Sequence, residues 1–246
     1  MPCLQKIYRC GKSIFVEKIE TRVYKKGEKR ERRKLSTEEK QKENFKAAVR
    51  KLHMILNLNF NGDDYWYTLT YPRDGRPEKE QAKKNLKKFI DKLRNEYRKL
   101  GYELKWIAVT EWNNKAIHHH IVISGIEQTP KIVREQWKFG RPQFKLLDEN
   151  GDYEGLAEYI VKETKDTFRL KDTVNKQMYS CSRNLKRPVA ERKRILKQSI
   201  DKEPRAFKGY YIVPDSIVEG TNPFGYRYKY YRMLQIGDRK CSKKKE

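Results

Sequence analysis

The residues best suited to chemistry lie in one stretch, Trp106–Ser124, which holds three of the four histidines of the chain. His118, His119 and His120 are consecutive and precede Ile-Val-Ile, a run that is typical of a strand. Successive side chains of a strand point to opposite faces, so His118 and His120 share a face and His119 lies on the other. Two imidazoles placed in this way can bind one metal ion.

A carboxylate is expected beside these imidazoles. Asn113-Asn114 is a good tight-turn pair, and with that turn Val109 pairs with His118 across a hairpin. Glu111 has the parity of Val109 and therefore shares the face of His118 and His120, unless the register slips by one residue. One carboxylate and two imidazoles suit a divalent ion that acts as a Lewis acid, whereas a structural zinc site requires a fourth protein ligand. The alternative is that the histidines only contact residues of neighbouring strands and bind no metal ion.

A nucleophile is predicted downstream of the histidines. Tyr159 and Lys162 stand three residues apart on one face of a helix predicted from 153 to about 165. A phenol, with a free pKa of about 10, needs activation by a nearby ammonium or a metal-polarised phosphate. Most Tyr-x-x-Lys pairs on helices are ordinary surface residues. This pair is a candidate for catalysis because it follows the histidines in the sequence. Tyr153 is the alternative nucleophile, but it lies roughly 9 Å along the helix, so a one-tyrosine enzyme is favoured.

Hydrophobic periodicity predicts the elements that position these residues. Residues 65–165 read as β-α-β-β-α-β-α, which indicates an α+β fold of the ferredoxin/RRM-like split βαβ type, an antiparallel palm with helices mainly on one face. Three segments are expected. Residues 1–61 form a hairpin, a basic linker and an amphipathic helix, residues 62–166 form the core, and residues 167–246 form a basic extension with a helix from Pro188 to Ile200.

The composition points to a polyanionic partner. The 246 residues carry a net charge of +25, and 12% are aromatic, a combination that is typical of nucleic-acid binding, with a merely adhesive basic protein as the alternative. Basic residues within and after the predicted core could line a DNA path, although solvated charge is the simpler interpretation for each of them. These residues are Lys84, Lys87, Arg183, Lys186 and Arg187.

Features of membrane or secreted proteins are not expected. No window reaches the roughly 18 apolar residues of a membrane span, and no apolar region follows the start as in a signal peptide. Cys3, Cys10, Cys181 and Cys241 lack CxxC spacing, so we interpret them as reduced thiols of a cytoplasmic protein.

Three motifs in order resemble those of HUH endonucleases. They are the strand Tyr65–Tyr71, the run from Glu111 to His118-His119-His120, and Tyr159-Ile-Val-Lys162. The likeness is greatest to rolling-circle replication initiator (Rep) proteins of phages and plasmids, including replication-associated proteins of the phage gene II and ORF2 type. The chain departs from that pattern at His119, where the family has a hydrophobic residue.

This resemblance implies a mechanism. Glu111, His118 and His120 would bind Mg²⁺ or Mn²⁺, and Tyr159 would attack a phosphate of single-stranded DNA or an origin hairpin. The products would be a 5′-phosphotyrosine and a free 3′-OH, with Lys162 stabilising the developing charge. A host helicase and polymerase would assist, because the chain has no Walker motif. The alternatives are a single-tyrosine transposase of the same superfamily and a non-catalytic RRM-like nucleic-acid-binding protein.

Overall fold

The structure is a computed structural model of the chain. The residues that it describes are 3–21, 36–112, 116–168, 179–222 and 225–237. The chain divides into two compact units. We call residues 43–187 the central unit, and residues 1–42 together with 188–246 the terminal unit. The first and third predicted segments, 1–61 and 167–246, thus both supply strands to the terminal unit.

The central unit is built on a five-stranded antiparallel sheet. Its strands are β3 (Tyr65–Thr70), β4 (Trp106–Glu111), β5 (His118–Ile123), β6 (Gln143–Leu146) and β7 (Ser180–Cys181). Its helices are α1 (Thr37–Asn59), which begins before the unit, α2 (Lys79–Lys99), α3 (Thr129–Gln136) and α4 (Glu154–Phe168). The strand order is β6-β3-β5-β4-β7, so β5 with its histidines is the central strand. The predicted α+β class with an antiparallel sheet is confirmed.

Strand alternation separates two faces of this sheet. We call the face that carries Glu111, His118 and His120 the Glu111 face. Helices α1 and α4 cover its apolar part, since Leu52 and Ile160 pack with Trp66 and Val109. On the opposite face, here the His119 face, α2 and α3 pack against the sheet. In the described residues, helices therefore cover both faces, two on each, whereas the sequence predicted them mainly on one. The apolar residues of the Glu111 face explain the difference, because they need cover as well.

Local sequence signals set several helix ends. Ser36 and Glu39 form a capping box before α1, with the Glu39 N–H donating to the Ser36 hydroxyl at 3.1 Å and the Ser36 N–H to the Glu39 carboxylate at 3.0 Å. Gly101 follows α2 with a φ of 80°, a left-handed conformation that favours glycine and stops a helix.

The register of β4 and β5 differs from the prediction. Glu111 pairs with His118 and Val109 pairs with His120, so the predicted pairing of Val109 with His118 is wrong by two residues. The chain between the strands is longer than a two-residue turn, and Asn113-Asn114 lies outside the described residues. A shift of two residues keeps every side chain on its face, and Glu111 still shares a face with both histidines.

The terminal unit is a second antiparallel sheet of six strands. These are β1 (Cys3–Cys10), β2 (Ser13–Glu20), β8 (Glu191–Ile195), β9 (Tyr210–Ile212), β10 (Val218–Thr221) and β11 (Arg227–Gln235). The predicted helix from Pro188 to Ile200 is wrong, because β8 lies there and pairs with β1. Tertiary pairing overrides the weak helical preference of this short charged run.

The structure also bears on the expectations about membrane spans and cysteines. Of the described helices, none is both long and apolar enough to cross a membrane. No disulfide joins Cys3, Cys10 and Cys181 to one another, and Cys241 lies outside the described residues.

Candidate metal centre and nucleophile

The last residue of β4 and alternate residues of β5 bring three potential ligands together. Glu111 lies directly opposite His118, and His120 is the next residue of β5 on the same face. Their ligand atoms all lie within 4.8 Å of one another. The side chains of Glu111 and His120 are 6% and 7% exposed, whereas that of His118 is 18% exposed, so one side of the group opens to solvent. The group could hold a metal ion.

The ring of His118 has an orientation that fits a bound cation. Its Nδ1 lies 2.7 Å from the Ala116 carbonyl oxygen, which can only accept, so Nδ1 carries a proton. In a neutral ring, Nε2 then presents a lone pair to a Glu111 carboxylate oxygen only 2.9 Å away. Two acceptors at that distance need a cation, either a proton on Nε2 or a metal ion. The donor set is therefore compatible with a divalent ion.

The ring of His120 points its Nε2 to the same place. That atom lies 3.5 Å from the Glu111 oxygen, and Nδ1 lies 3.1 Å from the hydroxyl of Thr68. Burial and the nearby His118 lower the pKa of His120 to about 4, although Glu111 opposes this shift. The ring is thus neutral near pH 7 and has a lone pair for a metal ion.

Helix α4 places the hydroxyl of Tyr159 at this group. The hydroxyl is 2.8 Å from His120 Nε2 and 3.5 Å from Glu111 Oε2. Tyr159 is 37% exposed, so its side chain is partly open to solvent. Trp66 stacks on the His120 ring at 5.0 Å and meets the Tyr159 ring edge-on at 6.0 Å, which limits the movement of both.

The start of α4 is held by α1. His53 Nε2 lies 2.7 Å from Asp152 Oδ1, and the Tyr153 N–H donates to Asn57 Oδ1 at 3.1 Å. His53 is 2% exposed and packs between the two helices. The position of Tyr159 relative to the sheet thus depends on an N-terminal helix outside the predicted core segment.

Tyr153 is in a different environment. It is 2% exposed in the core beneath α1 and α4, and its hydroxyl donates to the Asp148 carbonyl at 3.2 Å. Burial, and then the charges of Asp64 and Asp148, raise its pKa far above the ordinary tyrosine value. Such a phenol is a poor nucleophile, and it is Tyr159 that the fold brings to the histidines.

The predicted basic residues are spread over the central unit. Lys162 is exposed on α4, three residues beyond Tyr159. Lys84 and Lys87 are exposed on α2, which covers the His119 face and not the Glu111 face. The exposed residues Arg183, Lys186 and Arg187 follow β7, the edge strand beside β4.

Sequence reasoning missed Thr68 and Trp66. Alternation along β3 places them on one face, and this signal was present in the sequence. The missing information was the pairing of β3 with β5, which sets Thr68 opposite His120 and Trp66 opposite Val122.

Comparison with known protein families gives a match to the segment that contains this site. Residues 64–164 match the model of the family described as Replication-associated protein ORF2/G2P. The match covers less than half of the 246-residue chain, but it contains Glu111, His118, His120, Tyr159 and Lys162. It associates this segment with replication proteins and supports DNA binding. Neither a curated protein nor a solved structure matched the chain.

Proposed function

We propose that the chain is a rolling-circle replication initiator, an HUH-type endonuclease that nicks and rejoins single-stranded DNA through a 5′-phosphotyrosine. The observation that carries the proposal is the Tyr159 hydroxyl, 2.8 Å from His120 Nε2 and beside a Glu/His/His group that could hold a metal ion. A nucleophile, a cation site and a family match in one segment support phosphodiester chemistry.

The residues of the site have separate roles in this proposal. Glu111, His118 and His120 would hold Mg²⁺ or Mn²⁺, which when bound supplies Lewis-acid activation of a phosphate oxygen. Tyr159 forms the new bond from its oxygen to phosphorus as the bond from phosphorus to the 3′ oxygen breaks. The phenol loses its proton and the departing 3′ oxygen gains one. Lys162 stabilises negative charge near Tyr159.

The products define the biological role. The free 3′-OH primes synthesis by a polymerase, and attack of a 3′-OH on the phosphotyrosine rejoins the strand. Because the phosphotyrosine bond retains the energy of the broken phosphodiester, no nucleotide cofactor is needed. We propose a cytoplasmic enzyme of a phage or plasmid replicon that recognises an origin strand or hairpin and works with a host helicase. Arg183, Lys186 and Arg187 are the basic residues that we place nearest to the DNA path, followed by Lys84 and Lys87.

The test is formation of a covalent adduct. Single-stranded oligonucleotides labelled at the 3′ end are incubated with the protein and Mn²⁺, and a denaturing gel then separates free from protein-linked label. We expect an adduct in the wild type, because the fragment with the 5′-phosphate stays on tyrosine. A chelator abolishes it. With a 5′ label, the released fragment is extended by a polymerase, since it ends in 3′-OH.

Two matched variants identify the nucleophile. Tyr159→Phe abolishes the adduct, whereas Tyr153→Phe retains it, because the phenyl ring keeps its place in the core and only the bond to Asp148 is lost. An adduct that persists in Tyr159→Phe rules out this nucleophile.

Tight DNA binding by the wild type with no adduct in the presence of any metal supports the non-catalytic RRM-like protein instead.

A further inference from the structure

We propose that Thr68 is a positioning residue that fixes both the orientation and the tautomer of His120, and thereby sets the metal affinity of the site. Thr68 lies on β3 directly opposite His120 of β5, and its hydroxyl is 3.1 Å from His120 Nδ1. This inference rests on the proposed function, in which His120 is a metal ligand.

The hydroxyl matters because an imidazole has only one lone pair when neutral. If Nδ1–H donates to Thr68, the lone pair is on Nε2, the atom that faces Glu111 and Tyr159. Without this acceptor, the proton can move to Nε2 and block it. Hydrogen bonds of this kind on the far nitrogen orient metal-binding histidines and raise their affinity.

The two histidines differ in how their far nitrogens are held. His118 Nδ1 donates to the backbone carbonyl of Ala116, which no side-chain substitution removes. His120 depends on a side chain, so its orientation can be changed by a single conservative replacement. Trp66 stacks on the His120 ring with an interplanar angle of 1°. It confines the ring plane but provides no hydrogen-bond acceptor to its Nδ1, so Trp66 cannot replace Thr68.

The chain provides a matched control on the same strand. Thr70 is two residues beyond Thr68 on the same face, opposite His118, and is half-buried like Thr68. In the part of the chain that the structure describes, its hydroxyl makes no hydrogen bond, and its carbonyl accepts from Trp137 Nε1, which a side-chain change leaves in place. Valine suits a strand at either position.

The experiment measures Mn²⁺ binding to the full-length protein without DNA, from the electron paramagnetic resonance signal of free Mn²⁺. We expect Thr68→Val to weaken binding about 10- to 100-fold. Thr68→Ser, which keeps the hydroxyl, and Thr70→Val both stay within a few-fold of the wild type. Circular dichroism and thermal unfolding of each variant establish that the fold is kept.

A second readout needs no metal. The ¹⁵N chemical shifts of the His120 ring, in mildly alkaline buffer without metal, report which nitrogen carries the proton. We expect a proton on Nδ1 in the wild type and in Thr68→Ser, and a mixture of tautomers in Thr68→Val.

Three results overturn the inference. They are unchanged Mn²⁺ affinity in Thr68→Val, an equal loss in Thr70→Val, and a wild-type His120 protonated on Nε2. If the wild type binds no Mn²⁺, the proposed function fails. The tautomer measurement then decides separately whether Thr68 positions His120.

Discussion

At the scale of single residues, His119 is a buried histidine in the core of the central unit, and both of its ring nitrogens have hydrogen-bond partners. It is fully buried, with Nδ1 2.8 Å from the Thr110 hydroxyl and Nε2 2.9 Å from the Tyr71 hydroxyl. Burial, together with His118 and His120, lowers its pKa to about 3. The ring is therefore neutral at ordinary pH, and both of its nitrogens have partners. This explains how a histidine can occupy this fully buried position.

Replacing His119 with leucine tests this account. We expect His119→Leu to lower the free energy of unfolding by about 1–3 kcal/mol, because the buried Tyr71 hydroxyl and the half-buried Thr110 hydroxyl lose this partner. Urea denaturation followed by circular dichroism measures the loss.

Tyr71→Phe in both backgrounds provides the control. Its effect should be smaller when leucine is already at position 119, since the shared hydrogen bond is then absent. Equal effects in the two backgrounds would show that Tyr71 and His119 do not interact energetically.

The chemistry at the residue scale was predictable only in part. Parity within β5 put His118 and His120 on one face, because alternation depends on the backbone and not on the fold. Glu111 joined them because the predicted hairpin register, although wrong by two residues, kept its parity. The roles of Thr68 and Tyr71 depend on which strands are neighbours and on the chain's path beyond β3. Local sequence does not contain that information.

At the scale of elements, the end of β5 and the start of β3 meet at a glycine. The Gly125 N–H donates to Asp64 Oδ1 at 2.6 Å, and a side chain at this position would overlap the Asp63 carbonyl oxygen. The backbones of the two connections approach too closely for a Cβ. Gly125 thereby helps to hold β3 beside β5, the pairing that places Thr68 opposite His120.

Substitution by alanine distinguishes this glycine from another in the same unit. Gly125→Ala should lower the thermal midpoint, because Asp63 must move and the bond to Asp64 is strained. Gly155→Ala is the control, since nothing lies within 4 Å of a Cβ built there. In the first turn of α4 it should be neutral or stabilise by up to about 1 kcal/mol. Calorimetry of both variants decides; equal midpoints would contradict the close approach.

The order of elements from 65 to 165 was predictable because each has a clear period and clear ends. The strand β8 was not, since a short run of charged residues has no period of its own. Its conformation comes from pairing with β1, a strand far away in the sequence. The β4–β5 register failed for a related reason, because a turn pair in the sequence does not fix the length of the connection.

At the scale of the whole molecule, the net charge of +25 predicts strongly salt-dependent DNA binding. With Tyr159→Phe, which removes covalent capture, the Kd for a single-stranded oligonucleotide should rise about tenfold or more between 50 and 200 mM salt, because phosphate contacts release counterions. Fluorescence anisotropy measures this. A Kd independent of salt would mean that the basic residues do not contact the phosphates.

The arrangement of the terminal sheet has a consequence for biosynthesis. β1 and β2 are made before their sheet neighbours β8 and β11, which lie between residues 191 and 235. The hairpin must therefore keep both of its edges unpaired while the entire central unit is translated. Exposed strand edges invite pairing with other chains. Translation speed and chaperone supply should thus affect the yield of folded protein more than its final stability would suggest.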